Sequence, residues 1–358
     1  MKKNFYIKEK SKMKKVRWGI LGAGGIADRR TMPGMLLADN AEIYAVMEIN
    51  MEMAENLRAK YNAKFAYDNE DDLLANPDID AVYIASPVIC HERQALAAAK
   101  AGKNILIEKP ISLNAKISED IVKYCDDNGI KIAVGLMMRY NTYHQEMKKL
   151  IADGKLGQIV SCHAQFTCWY PEMANAWRQT KASAGGGAMT DLGIHCLDLI
   201  EYITGSRIVK VGALSDNMTF SYEVEDACSA LFKLDCGAFG TVDANFNIPD
   251  DAARCRIEIY GTKGSIRAEG TIGQMDGGDV LVTLSDTKGY DAMQERSESN
   301  DYKMSGADGN MYAREVASFG DSILNGTPVE VHAENAVHIQ KVIEAIYKSS
   351  ETGEFINI

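Results

Sequence analysis

Eight cysteines are scattered along the chain without one Cys-x-x-Cys pair, so neither a zinc ribbon nor a thioredoxin-like motif is on offer. Long apolar runs are missing too. None approaches the ~18 residues of a membrane span. In the basic N-terminal stretch the apolar run is only Phe5-Tyr6-Ile7, below the roughly 7–15 residues of a secretory core. Residues 1–13 are therefore expected to be a flexible extension of a cytoplasmic protein whose thiols stay reduced. Nor is there an excess of positive charge. The 39 Lys and Arg are outnumbered by 50 Asp and Glu, and the net charge of −11 provides no overall field for nucleic acid.

What remains is the composition of an ordinary globular protein, 46% hydrophobic and 25% charged, with 358 residues, enough for two cores. From Val16 to Gly135 short apolar runs alternate with helical stretches. Strands are expected at 16–21, 43–48, 81–86, 104–108 and 130–135. Helices are expected at 26–37, 51–61, 90–101 and 115–128. That alternation predicts a parallel, doubly wound sheet. After Lys155 the texture changes to strand-like runs separated by turn residues, beginning at 157, 207, 227, 237 and 254. These predict a mostly antiparallel open sheet. Residues 269–310 are polar and glycine-rich and are expected as long loops, with a hairpin at 279–286. Two helices, 311–325 and 335–350, close the chain. The fold class is thus α/β, with a dinucleotide-type domain over 14–138 and an α+β domain over 139–358, whose C-terminal helix can return to the first.

Between the first strand and first helix stands Gly22-x-Gly24-x-x-Ala27. The first glycine allows the tight turn, the second a close approach of backbone to pyrophosphate, and Ala27 fills the helix–strand contact. The N–H groups beyond it, from Gly25 and Ile26, open a helix whose dipole favours phosphate. Glu48 ends the second strand, where a carboxylate accepts from ribose hydroxyls and repels a 2′-phosphate. Its neighbours Ile49, Asn50 and Met51 supply no cation for that phosphate, so NAD is expected rather than NADP.

The second domain's sheet is interrupted by "GGGAMTDLGIHCLD", residues 185–198, which reads as a helix capped at Gly205. Leu192, Cys196, Leu199 and Ile203 form its apolar stripe, and Asp191, His195 and Asp198 line another. Asp191 and His195 make only two metal ligands, with no third at matching local spacing, so a metal site is not expected. Asp191 could also serve only the helix dipole, His195 could be packed in a core, and Asp198 reads as structural.

Together with "NILIEKPISLN" (104–114), the glycine loop and the 185–198 segment resemble, in order and spacing, the Gfo/Idh/MocA oxidoreductases. "SPVICHERQALAAAKAGKNILIEKP", "GLMMRYNTYHQEMKKLIADGKLGQI" and "WRQTKASAGGGAMTDLGIHCLDL" extend the likeness over nearly the whole chain. The resemblance implies a Rossmann domain for the nicotinamide cofactor, touching Glu108, and a C-terminal open sheet that makes homo-oligomers. It implies reversible hydride transfer at a sugar or cyclitol carbon, with Lys109, Asp191 and His195 as catalytic residues and a cis Lys109–Pro110 bond. Glu48 is longer than the family's common Asp, and Met137-Met138 stands where polar or aromatic residues are frequent.

The chemistry suits these residues. An imidazole with an ordinary pKa of about 6.5 can take the hydroxyl proton near neutrality. An ammonium at the carboxyl end of a strand can stabilise alkoxide charge. Asp191, one turn before His195, is expected to orient the imidazole. Either His195 or Lys109 can be the immediate base. Ser86, Pro87 and His91 follow the third strong strand and are expected near the nicotinamide, although His91 could equally face solvent. Trp177 and Arg178 suit a sugar ring, and Tyr140 and Asn141 are further substrate candidates. A redox-neutral glycosidase using NAD transiently, or a non-catalytic NAD- and sugar-binding regulator, would carry similar motifs.

Overall fold

Val16–Leu21 buries both faces, with Val16, Trp18, Ile20 and Leu21 fully enclosed, as a strand covered by helices on either side must be. This strand, β1, lies at the centre of a six-stranded parallel sheet in the order β3-β2-β1-β4-β5-β6. The others are β2 (Ala41–Met47), β3 (Phe65–Tyr67), β4 (Ala81–Ile84), β5 (Asn104–Ile107) and β6 (Ile132–Val134). The chain runs outward on one side of β1, then returns and continues on the other. The switch point therefore falls between β1 and β4, where open α/β sheets bind ligands. The structure, a computed structural model, describes residues 14–253, 255–285, 289–290, 292–293, 300–307 and 309–358. The expected extension of residues 1–13 and part of the 269–310 segment lie outside them.

Helices connect these strands. A π-helical turn, Ala27–Thr31, runs into α1 (Met32–Leu37), followed by α2 (Met51–Tyr61), α3 (Glu70–Ala75), α4 (Val88–Lys100) and α5 (Ala115–Asp127). Asn50, Asn69 and Asn114 cap the last-named helices other than α4, each side chain accepting from a first-turn N–H. The short β3 and α3 were not expected from the apolar pattern. Nor was α6 (Thr142–Ala152), which Asn141 caps.

The second sheet has nine strands in the order β14-β13-β12-β11-β7-β10-β9-β8-β15. They are β7 (Ile159–Thr167), β8 (Ile208–Asp216), β9 (Ala227–Leu234), β10 (Phe239–Asn245), β11 (Arg256–Gly261), β12 (Gly264–Glu269), β13 (Asp279–Leu284), β14 (Asn300–Lys303) and β15 (Ile356–Asn357). Every pairing is antiparallel except β7 with β10. The expected hairpin at 279–286 is instead one strand, β13, held between β12 and β14.

One face of this sheet is covered. Between β7 and β8 lie the one-turn α7 (Lys181–Ala184), a second π-helical turn at Met189–Gly193, and α8 (Ile194–Thr204). Leu192, Cys196, Leu199 and Ile203 are all buried there, as their spacing predicts. The terminal helices are α9 (Met311–Asn325) and α10 (Ala333–Thr352). α9 packs on α1 and the first sheet, with Val316 and Phe319 in the same apolar cluster as Trp18 and Ile20. The last helix, α10, lies across both α5 and β8. Among the described residues, no helix is long and apolar enough to cross a membrane.

Candidate active site

The carboxyl ends of β1, β4 and β5 meet the N-terminal end of α8 across a cavity of about 220 Å³. On the first-domain side, Gly22 has φ +75°, and a Cβ there would come within 2.7 Å of the Ser86 nitrogen. A Cβ on Gly24 would lie 2.9 Å from Glu48 Oε1, which already accepts the Gly24 N–H at 2.5 Å. Gly25, at φ +57°, has nothing within 4 Å of the Cβ position. Gly22 and Gly24 thus allow close approaches that a Cβ would block, and Gly25 leaves open space at the start of the helix. This backbone cradle fits a dinucleotide phosphate, and the Glu48 carboxylate stands beside it.

β5 delivers Glu108 and Lys109. The Lys109–Pro110 peptide is cis, as the resemblance implied. His91, on α4, is buried rather than solvent-facing. Its Nδ1 lies 3.0 Å from the Pro110 carbonyl and its Nε2 2.8 Å from the Ser86 carbonyl, so it ties the end of β4 to the Lys109 loop. Glu108 accepts the Tyr83 hydroxyl at 2.6 Å, and burial pushes its carboxyl up against the opposing pull of that bond and of Lys109. Pro87 sits at the N-terminus of α4.

The Lys109 ammonium spans the two domains, donating at 2.7 Å to the Asp191 carboxylate and at 2.7 Å to the Asp191 backbone carbonyl. The π-helical turn widens the local hydrogen bonding, with the Ile194 N–H reaching back to Met189. Such turns loosen the ordinary ladder, and here the Asp191 carbonyl faces a lysine. Arg178 Nε lies 3.6 Å from the same carboxylate, and its guanidinium lies 4.4 Å from the centroid of the Trp177 ring. Burial works against the Asp191 charge, but Lys109 and Arg178 outweigh it and hold the carboxyl well below the usual range.

The expected Asp191–His195 contact is absent. Asp191 is turned to Lys109 and Arg178 instead, and among the described residues the imidazole makes no hydrogen bond. His195 is 4% exposed and lines the cavity beside Phe166, with ring centroids 6.1 Å apart. Burial and the Lys109 charge hold it neutral well below its ordinary pKa, opposed by Asp191. Asp198 does not reach the cavity. It is sealed in a bidentate pair with Arg139, at 2.5 and 2.9 Å.

Tyr140 and Asn141 are corrected as substrate candidates, because neither lines the cavity. The short turn Met137–Tyr140 points Met137 and Met138 inward. It sends the Tyr140 hydroxyl toward Ser318 of α9, while Asn141 caps α6 and reaches the Thr271 carbonyl. His163, a strand histidine, lies on the sheet's open face, bonded to Ser161 and Thr241. Ile26, Ser86, His91, Glu108, Lys109, Trp177, Arg178, Asp191 and His195 do share the cavity. Arg29, Phe166, Tyr170, Gln274 and Tyr312 join them without having been singled out from sequence. A periodic aromatic signal could have flagged Phe166 and Tyr170. Gln274 sits in a glycine-rich segment that carried no signal.

Comparison with known proteins supplies the family. Residues 16–136 match a family model described as oxidoreductase family, NAD-binding Rossmann fold, and residues 144–267 match the GFO/IDH/MocA C-terminal domain. The chain belongs to the GFO/IDH/MocA oxidoreductases. Relatives within that family include 1,5-anhydro-D-fructose reductase of Ensifer adhaerens, 24% identical over 343 residues that cover 96% of this chain and 98% of the relative. D-xylose 1-dehydrogenase (NADP(+)) 2 of Haloferax volcanii is 26% identical, covering 95% and 99%. Levoglucosan dehydrogenase in complex with NADH and levoglucosan superposes with a TM-score of 0.86 at 21% identity, over 96% of this chain and 100% of that one. An aldose-aldose oxidoreductase of Caulobacter crescentus also gives 0.86, at 24% identity and the same coverage. The GFO/IDH/MocA assignment makes this chain an NAD(P)-binding oxidoreductase whose cofactor domain carries the glycine cradle and Lys109.

Proposed function

We propose that the protein oxidises a secondary alcohol of a sugar, glycoside or cyclitol, reversibly, with NAD as cofactor. The observation that carries this reading is the Lys109 ammonium, fixed by Asp191, in one cavity with an unpartnered neutral imidazole. Gly22, Gly24, Gly25, Ile26 and Glu48 would hold the dinucleotide, with Ser86, Pro87, His91 and Glu108 toward the nicotinamide. When bound, the nicotinamide supplies the hydride acceptor.

The protein's own part is proton handling and placement. Lys109 spends two of its three N–H donors on Asp191, and the third can hydrogen-bond the reacting hydroxyl and stabilise alkoxide as it forms. His195, held neutral by burial and by that ammonium, accepts the hydroxyl proton as general base. This division of labour favours His195 over Lys109 as the base. Trp177 offers a ring face and Arg178 a guanidinium to the pyranose, which matches relatives named for anhydrofructose, xylose and levoglucosan. Glu48, beside the cradle without a cation after β2, favours NAD over NADP. We take 14–138 as the cofactor unit and 139–358 as the substrate unit. Exposed Leu214, Leu231 and Phe239 on the open sheet face suit a second copy of the chain.

The test incubates the purified protein with NAD or NADP and a panel of hexoses, pentoses, inositols and glycosides, reading NADH absorbance and product mass. A ketone product, with NAD preferred at least about tenfold, is expected. Free sugar from a glycoside without net NADH would replace this reading with the glycosidase one. Binding without turnover across the panel would leave a regulator.

A further inference from the structure

β12 and β13 are antiparallel neighbours with Glu269 opposite Asp279, yet residues 270–278 join them. A hairpin needs only about 2–5 residues. The surplus leaves the sheet and crosses to the first domain. Its base is pinned twice. Asn141 Nδ2 donates to the Thr271 carbonyl at 3.4 Å, and Asp276 receives Arg314 of α9 at 2.8 and 2.9 Å. Its tip carries Gln274, whose Oε1 accepts Arg30 Nε at 3.3 Å, one turn past the glycine cradle.

An arginine can only donate, so that contact fixes the amide: Oε1 faces Arg30, and the two Nε2 hydrogens are left for something else. Among the described residues Nε2 has no partner, and Gln274 lines the same cavity as Ile26 and Arg29. Arg29 is exposed there and makes no ion pair among the described residues. A double donor and a free guanidinium thus stand beside the N-terminal end of a helix behind a glycine cradle. The chemistry that satisfies all three is a diphosphate.

We propose that Gln274 and Arg29 form a second clamp on the diphosphate of the dinucleotide, Gln274 reaching it from the substrate domain. The cofactor is then gripped by both halves of the protein. This rests on a dinucleotide occupying the glycine cradle, which NADH titration of the wild-type chain tests separately.

The experiment titrates full-length protein with NADH by fluorescence, then displaces it with ADP or with adenosine. Arg29→Gln is expected to weaken NADH and ADP about tenfold or more, and Gln274→Ala about threefold to tenfold. Adenosine affinity and the melting temperature should stay unchanged in both. Gln274→Glu separates a ligand role from a purely structural one. It keeps an acceptor for Arg30 but presents negative charge to the diphosphate, so it should bind NADH more weakly than Gln274→Ala. Wild-type NADH affinity in Gln274→Glu would overturn the proposal. So would an equal loss of adenosine binding in Arg29→Gln and Gln274→Ala, or a rise in sugar KM with NADH affinity intact.

Discussion

Two aspartates seven residues apart on one helical segment meet different fates. Asp191 has a side chain 28% exposed and shares its charge between Lys109 and Arg178 at the wall of a cavity. Asp198 is 1% exposed, and its carboxylate is closed off by Arg139, whose guanidinium in turn lies 5.1 Å from the Tyr202 ring centroid. The first pair joins the two halves of the chain, and the second lies within the C-terminal half. In one, burial defeats the carboxyl's acidity: Asp198 is pushed up by desolvation despite Arg139. In the other, two cations outweigh burial. A pair that is open to a cavity and carries a second cation is poised for a ligand, whereas a sealed one holds the fold.

The widest separation should come from the cavity that Lys109 and His195 share. Lys109→Ala or His195→Ala should lower kcat by about 10²–10⁴-fold, with NADH affinity nearly intact, as read by steady-state rates and fluorescence titration. Unchanged rates on a confirmed substrate would remove both from the chemistry. Next come the aspartates themselves. Asp198→Asn leaves a buried guanidinium without its countercharge and should cost about 3–5 kcal/mol in denaturant unfolding. Asp191→Asn should cost less stability than Asp198→Asn while kcat collapses. A reversal of those two outcomes would exchange the roles assigned to the pairs.

The smallest of the three effects is one of pH. His144 is fully buried, donates Nδ1–H to the Met138 carbonyl at 2.8 Å, and has its pKa lowered by burial from 6.5 to about 4. Between those values the unfolded chain binds more protons than the folded one. Stability is therefore complete above pH 6.5 and falls as the pH drops toward 4, by up to about 3 kcal/mol. His91 and His195 shift in the same direction and add to the slope. Melting temperatures across that range, with His144→Gln as the control, measure it; a flat profile would mean that the imidazole charges without unfolding.

Much of this was legible beforehand because burial on both faces writes itself into sequence. β1, β2, β4 and β5 are short runs that are apolar but for Arg17, Glu42 and Asn104, and the glycine cradle needs small residues where the backbone must be approached. The 311–325 helix emerged with its expected bounds. Less legible was anything set by one extra residue or by partners far along the chain. A π-helical turn has no periodic signature of its own, so the 189–193 segment read as plain helix, and Asp191 was aimed at His195. Its actual partner, Lys109, lies 82 positions away. Tyr140 and Asn141 failed because a single short turn decides which of four neighbouring side chains faces inward, and Met137 and Met138 took that face.

The widened turn before α8 amounts to one surplus residue inside a helix. Removing Leu192 alone would leave helical propensity almost untouched while swinging everything upstream, Asp191 included, by about 100° about the axis. The lysine's two acceptors would leave together and the imidazole would stay. One codon's worth of length, rather than the identity of any side chain, keeps Asp191 turned to Lys109 while His195 lines the cavity.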